Sequence, residues 1–191
     1  IINGGDDDDG KNVDDEIDIT NITKKIIGES DSLVLYISLT GKTQQLAQEI
    51  SKYINADYEK IEPVVEYPAE YKEIVEVVKE ELKNNSRPSY QTLTANITNY
   101  NNIFLGYPIW ITDIPMLMLS VAENEKGKLD GKTIIPFVTS NSSGENGTVE
   151  KIKNILKNST FKQWISVFNK DMDIYEKTID NWLEEIGFKK A

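Results

Sequence analysis

Three hydroxyls, a lysine and a glycine stand together in the turn Ser38-Leu39-Thr40-Gly41-Lys42-Thr43, which follows the apolar run Ser32 to Ile37 and precedes helically spaced apolar residues. Such a strand-to-helix turn suits anion binding. Consecutive backbone N–H groups and hydroxyls converge on the positive end of a helix, and glycine lets the backbone come close. A capped turn that binds nothing accounts for one of the hydroxyls but not for all of them, so on the residues alone both readings stand. The Gly-Lys-Thr triplet is not a nucleotide P-loop. That pattern needs glycine five positions before Gly41, where Tyr36 stands.

Two further segments carry candidate chemistry. Gly106-Tyr107-Pro108-Ile109-Trp110-Ile111-Thr112-Asp113-Ile114-Pro115 presents a tryptophan beyond a buried apolar run, where its plane could stack on a flat ring; a lone tryptophan is as well explained by core or interface packing. Thr139-Ser140-Asn141-Ser142-Ser143-Gly144-Glu145-Asn146-Gly147 is a long polar loop of the kind that more often binds than merely connects.

Composition removes most other chemistry. The chain has no cysteine and no histidine, which excludes disulfides, thiolate nucleophiles, iron–sulfur clusters, the Ser-His-Asp triad and the commonest zinc ligands. Activity must come from carboxylates, lysines, phenols, hydroxyls, backbone amides or a borrowed cofactor. A net charge of -11 argues against nucleic acid as a partner, because phosphate-backbone sites need clustered Lys and Arg.

That charge is unevenly placed. Residues 1 to 18 hold eight acids against Lys11 alone, leaving 24 acids against 20 bases in the rest. A like-charged, glycine-containing run cannot bury apolar surface, so residues 1–30 are expected to be an acidic linker or extension and residues 31–191 a single domain. The chain opens on Ile1 and no run approaches the roughly 18 apolar residues of a membrane span. The expectation is an extracytoplasmic domain tethered to a membrane through an anchor upstream of residue 1, with the cytoplasm as the alternative.

The elements that position the three loops follow from periodicity. Residues 32 to 38, 102 to 110 and 131 to 140 read as strands buried on both faces, 56 to 63 as an edge strand and 162 to 169 as a further apolar run. Between them, Leu46, Ala47, Ile50, Tyr53 and Ile54 mark one helix face, and Ala69 to Lys83 forms a helix with Tyr71, Ile74, Val75, Val78 and Leu82 inward. Pro115 suits the first turn of a third helix, residues 148 to 157 make a fourth, and a closing helix ends at Gly187. Repeated βαβ units make an α/β, doubly wound three-layer sandwich, and in such sheets ligands bind beyond the carboxyl ends of the strands, where these loops fall.

Taken in order, "YISLTGKT" (36 to 43), "GYPIWIT" (106 to 112) and "KTIIPFVTSNSSG" (132 to 144) resemble the flavodoxin family, in particular the group with YFSxTGNT, GYPIWWG and KTIIPFxTSGGSG patterns. The resemblance covers about residues 32 to 188. It implies a five-stranded parallel sheet of order 2-1-3-4-5 with FMN at the switch point between the first and third strands. It further implies that Ser38, Thr40, Gly41, Lys42 and Thr43, with Leu39 between them, hold the FMN phosphate. Pro108, Ile109 and Trp110 would flank the isoalloxazine, continued by Ile111, Thr112 and Asp113, and Thr139, Ser140, Asn141, Ser142, Ser143 and Gly144 would wrap its other edge.

The departures are specific. Lys42 replaces the commoner Asn and adds charge to the phosphate site. Ile111 replaces a second Trp, Thr112 a Gly, and Asn141-Ser142 a Gly-Gly pair. A β-branched Thr adopts positive φ poorly, so the expectation is a different or weaker hold on the ring and a hindered backbone flip at Thr112. The function implied is a low-potential one-electron carrier docking a redox partner protein near the flavin edge, with Asp113 and the acidic surface opposing negative charge on the flavin. The alternatives are an FMN-dependent NAD(P)H quinone or nitro reductase on the same fold, and a flavodoxin-like binding domain that has lost the flavin.

Overall fold

The computed structural model describes residues 22 to 191. Residues 1 to 21, which include the acidic run, lie outside the described residues. The strands are β1 (Lys24–Lys25), β2 (Ser32–Tyr36), β3 (Asp57–Lys60), β4 (Asn102–Pro108), β5 (Thr133–Ser140), β6 (Thr160–Phe161) and β7 (Ile165–Phe168). The helices are α1 (Lys42–Ile54), α2 (Tyr71–Lys83), α3 (Met116–Asn124), α4 (Lys126–Leu129), α5 (Thr148–Ile155) and α6 (Tyr175–Glu185).

β3, β2, β4 and β5 lie parallel in that order, and β6 and β7 both pair parallel with β5. With β6 and β7 sharing the fifth place, the order is the expected 2-1-3-4-5. The fifth strand is broken after Lys162, whose amide still donates to the Ile134 carbonyl of β5 at 3.1 Å. There the Gln163 carbonyl accepts from Trp182 Nε1 at 3.0 Å, and Lys162 Nζ donates to the Ile186 carbonyl at 2.6 Å.

Every residue of β2 is buried, as a strand covered on both faces must be. On one face Val34, Tyr36, Phe104, Ile135 and Phe137 pack against Leu46, Ala47 and Ile50 of α1 and Ile179, Trp182 and Leu183 of α6. On the other, Leu33, Leu35, Ile103, Leu105 and Val138 pack against α3, α5 and Leu129. Burial of this apolar area is the main stabilising contribution, at about 25 cal/mol per Å2.

Two expected boundaries shift. Residues 22 to 30, read with the acidic extension, pack on the domain: β1 pairs antiparallel with β3, Lys24 opposite Glu59 and Lys25 opposite Tyr58. Pro115 stands one residue before α3 rather than inside its first turn. β3, expected at the edge of the sheet, instead lies between β1 and β2 and holds its neighbours with carboxylates. Buried Asp57 accepts from the amides of Ile27 and Gly28, each at 2.8 Å, and from the Tyr100 hydroxyl at 2.9 Å. Glu59 accepts from the amides of Thr94 at 2.7 Å and Ala95 at 2.8 Å. In Asp57→Asn one acceptor oxygen becomes an NH2 group facing a buried donor, and the stability falls by about 2 kcal/mol. A lower urea midpoint with faster hydrogen exchange at Ile27 and Gly28 is the expected result; unchanged exchange there shows that Asp57 does not hold the segment.

Candidate functional site

The three loops emerge at the carboxyl ends of β2, β4 and β5. In the first, Gly41 has φ +86°, the left-handed region, and a Cβ there would meet nothing within 4 Å. The glycine is therefore required by the backbone that starts α1 and not by lack of space. The buried Ser38 Oγ accepts from the amides of Gly41 at 3.1 Å and Gln44 at 3.4 Å. With both lone pairs used, its hydrogen remains to donate. Among the described residues the amides of Leu39, Thr40, Lys42 and Thr43 have no protein acceptor. Four unused N–H groups at the positive end of α1, whose first residue is Lys42, make an anion cradle. Thr43 Oγ1 and Thr139 Oγ1 lie 2.8 Å apart and buried, which ties this loop to the end of β5.

The second loop is a tight reversal. The amide of Ile109 donates to the Thr139 carbonyl at 2.8 Å, and Trp110 and Asp113 exchange two backbone bonds of 2.9 and 3.0 Å. Between them Ile111 and Thr112 have φ of +49° and +65°. Positive φ at both central positions is the pattern of a type I′ turn, which ordinarily takes Asn-Gly. Thr112 thus occupies the conformation it was expected to adopt poorly, and side chains around it hold it there. Asn146 Nδ2 donates to the Thr112 carbonyl at 2.8 Å, and Lys151 Nζ donates to both Asp113 oxygens at 2.7 and 2.6 Å. Left-handed backbone costs a β-branched residue roughly 1–2 kcal/mol. Ile111→Asn with Thr112→Gly is accordingly expected to raise stability by about 1 kcal/mol. A rise in the melting temperature checks this, and no rise would locate the strain elsewhere.

The Asp113 carboxylate is already engaged. It is ion-paired with Lys151 and accepts from the Ile114 amide at 2.7 Å, so it braces the loop rather than presenting free negative charge to a ligand.

In the third loop the Gly144 amide donates to Ser140 Oγ at 3.0 Å. The Thr148 hydroxyl donates to the Glu145 carbonyl at 2.6 Å and lies 3.0 Å from the Tyr107 hydroxyl. Burial raises the Tyr107 phenol far above its ordinary pKa, which keeps it a neutral donor. Asn169 Nδ2 approaches Asn141 Oδ1 at 3.4 Å.

A crevice of about 400 Å3 lies between the loops. Of the expected site residues, Ser38, Leu39, Thr40, Lys42, Thr43, Pro108, Ile109, Trp110, Thr139, Ser140 and Asn141 line it. Gly41 shapes the turn behind it, and Ile111, Thr112, Asp113, Ser142, Ser143 and Gly144 are not in its lining. Tyr71, Ile74 and Asn169 join the lining without having been expected. Helical spacing placed Tyr71 and Ile74 on the inward face of α2, yet Tyr71 is 78% exposed because the first turn of that helix meets the crevice instead of the core. No signal in the sequence marked Asn169.

Comparison with known proteins decides the family. A family model described as Flavodoxin matches residues 31 to 186. The chain belongs to the flavodoxin family. A structure from Bacteroides eggerthii described as a flavoprotein shares 27% identity and a TM-score of 0.70, covering 83% of this chain and 98% of that one. One from Bacteroides uniformis shares 22% identity at TM-score 0.69, covering 80% and 97%. A Lactobacillus acidophilus flavoprotein in complex with FMN shares 17% identity at TM-score 0.60, covering 75% and 97%. No protein of curated function matches. In this flavodoxin the crevice stands beyond the carboxyl ends of adjacent parallel strands β2 and β4, where α1 and α3 pack on opposite faces of the sheet. That is the switch point at which doubly wound sheets bind ligands.

Proposed function

We propose that this flavodoxin binds FMN and carries electrons one at a time between partner proteins. The reading rests on the cradle of four unused amides at the head of α1, with Lys42 and the Ser38 hydroxyl beside it, opening into a crevice walled by Trp110. Those groups match a dianionic phosphate, and the crevice falls within the roughly 300–1,000 Å3 of cofactor pockets. The Lactobacillus acidophilus relative of the same fold holds FMN.

The amides of Leu39, Thr40, Lys42 and Thr43 would hold the phosphate. Pro108, Ile109 and Trp110 would flank the ring on one side and Thr139, Ser140 and Asn141 on the other. Bound FMN supplies the redox chemistry. The chain's own part is to orient the ring and exclude water. The lining consists of hydroxyls, amides and apolar groups around Lys42 and Tyr71, a set suited to holding a flavin rather than to moving protons onto a substrate. This favours the carrier over the reductase. Partner docking belongs at the crevice mouth, where Leu39 and Tyr71 are exposed and the chain around Tyr71 carries Glu66, Glu70 and Glu73 against Lys72. Such a rim fits a basic partner whose on-rate falls with salt.

Titration of the purified protein with FMN tests the reading. Stoichiometric quenching of flavin fluorescence and a yellow protein are expected, with no steady oxidation of NADH or NADPH when a quinone is added. Unquenched fluorescence at saturating protein removes the proposal, and steady turnover replaces the carrier with a reductase.

A further inference from the structure

Trp110 is carried by a two-residue turn, yet its ring is held from elsewhere. Tyr67 meets it edge-on, with ring centroids 5.0 Å apart and planes at 73°. This is the favoured arrangement of an aromatic pair, positive edge against negative face. Tyr67 belongs to none of the three loops; it lies in the connection from β3 to α2. Its hydroxyl donates to the Glu81 carboxylate of α2, 3.1 and 3.2 Å from the two oxygens. The ring is thus fixed at both ends, at one by Trp110 and at the other by Glu81.

We propose that Tyr67 is a positioning residue of the crevice: pinned at its hydroxyl by Glu81, it sets the attitude that Trp110 presents to a flat ring. The proposal rests on the FMN reading, since a ring must bind for the attitude to matter. The pin is needed because Tyr67 and Glu81 both border a hollow of about 400 Å3, lined also by Val64, Val77 and Pro88, into which an untethered ring can swing. The protonation states suit the contact. Burial holds the phenol well above its ordinary pKa, so it stays a donor, and the same bond favours the charged form of a carboxyl that burial otherwise raises. α2 therefore serves the crevice twice, contributing Tyr71 and Ile74 to the wall and Glu81 to the anchor.

Protein labelled with 5-fluorotryptophan reports this without any cofactor. Trp110 is assigned by Trp110→Phe, and Trp164 and Trp182 serve as internal controls. The Trp110 fluorine resonance is expected to shift in Tyr67→Leu, and by less in Tyr67→Phe and Glu81→Leu, while both controls stay in place. Glu81→Gln, whose amide oxygen still accepts from the hydroxyl, should restore the wild-type position. Tyr67→Leu should weaken FMN and riboflavin alike by roughly threefold to tenfold, because the lost contact lies at the ring and not at the phosphate. A Trp110 resonance unmoved in both Tyr67→Leu and Tyr67→Phe overturns the proposal, as does a loss of affinity confined to FMN. Should neither flavin bind the wild-type protein, the FMN reading falls, and the resonance still decides whether Tyr67 holds Trp110.

Discussion

Gly106→Ala is expected to lower the stability of this protein by about 3 kcal/mol, the upper end of what overpacking a core costs. Gly106 lies in β4 between two register partners, Tyr36 of β2 and Phe137 of β5. Partners across a parallel ladder project to the same face, so two large rings flank the one position in that row without a side chain. The Phe137 ring has taken the space. A Cβ on Gly106 would stand against its Cζ and Cε2 atoms and 2.6 Å from Cε1. Phe137 is fully buried among Tyr36, Phe104 and the residues of α1 and α6, so it cannot turn aside without disturbing that face of the core. Urea denaturation checks the expectation. The double variant with Phe137→Leu should lose less than the sum of the two single changes, since the pair shares one space. An unchanged midpoint in Gly106→Ala would show that the ring relocates freely.

Riboflavin, which has the ring of FMN but no phosphate, is expected to bind about a hundredfold more weakly than FMN. Hydrogen bonds to a charged acceptor are worth about 1.5–3 kcal/mol each, and two of the four unused amides at the head of α1 already supply the roughly 2.8 kcal/mol that a hundredfold requires. Added salt should weaken FMN and leave riboflavin nearly unchanged, since only one of them is held by charge. Lys42→Ala should narrow the gap by about threefold, a modest effect because the half-exposed ammonium is screened by solvent. Equal affinities for the two ligands would mean that the cradle holds no phosphate.

Much of this architecture could be read from residue types. Apolar runs separated by helically spaced segments showed a parallel sheet between two helical layers, since a run such as Leu33 to Ile37 stays out of water only there, while the order of its strands came with the family resemblance. The loops at 38–43, 107–114 and 139–147 were visible because they break that pattern with hydroxyls, glycines and a tryptophan at the binding end. β1 was not visible. Lys24 and Lys25 have no periodicity of their own and become a strand because β3 leaves an edge open and Asp57 grips the amides that follow.

The ion pair of Asp113 was not legible for a related reason. Its partner Lys151 lies on α5, a separation that spacing along the chain cannot bridge. Tyr71 shows the limit of helical periodicity, which gives a direction around the axis but not where along the axis the sheet ends.

The sequence by itself determined the layers, the family and the loops that meet at the switch point, because these follow from local pattern and from motifs in a fixed order. Only the tertiary structure decided that Tyr67 would hold Trp110, that Glu81 would hold Tyr67, and that Gly106 would leave room for Phe137. Each of these joins residues from different elements, and such contacts are set by how close packing fills space between them rather than by the order of residues along any one of them.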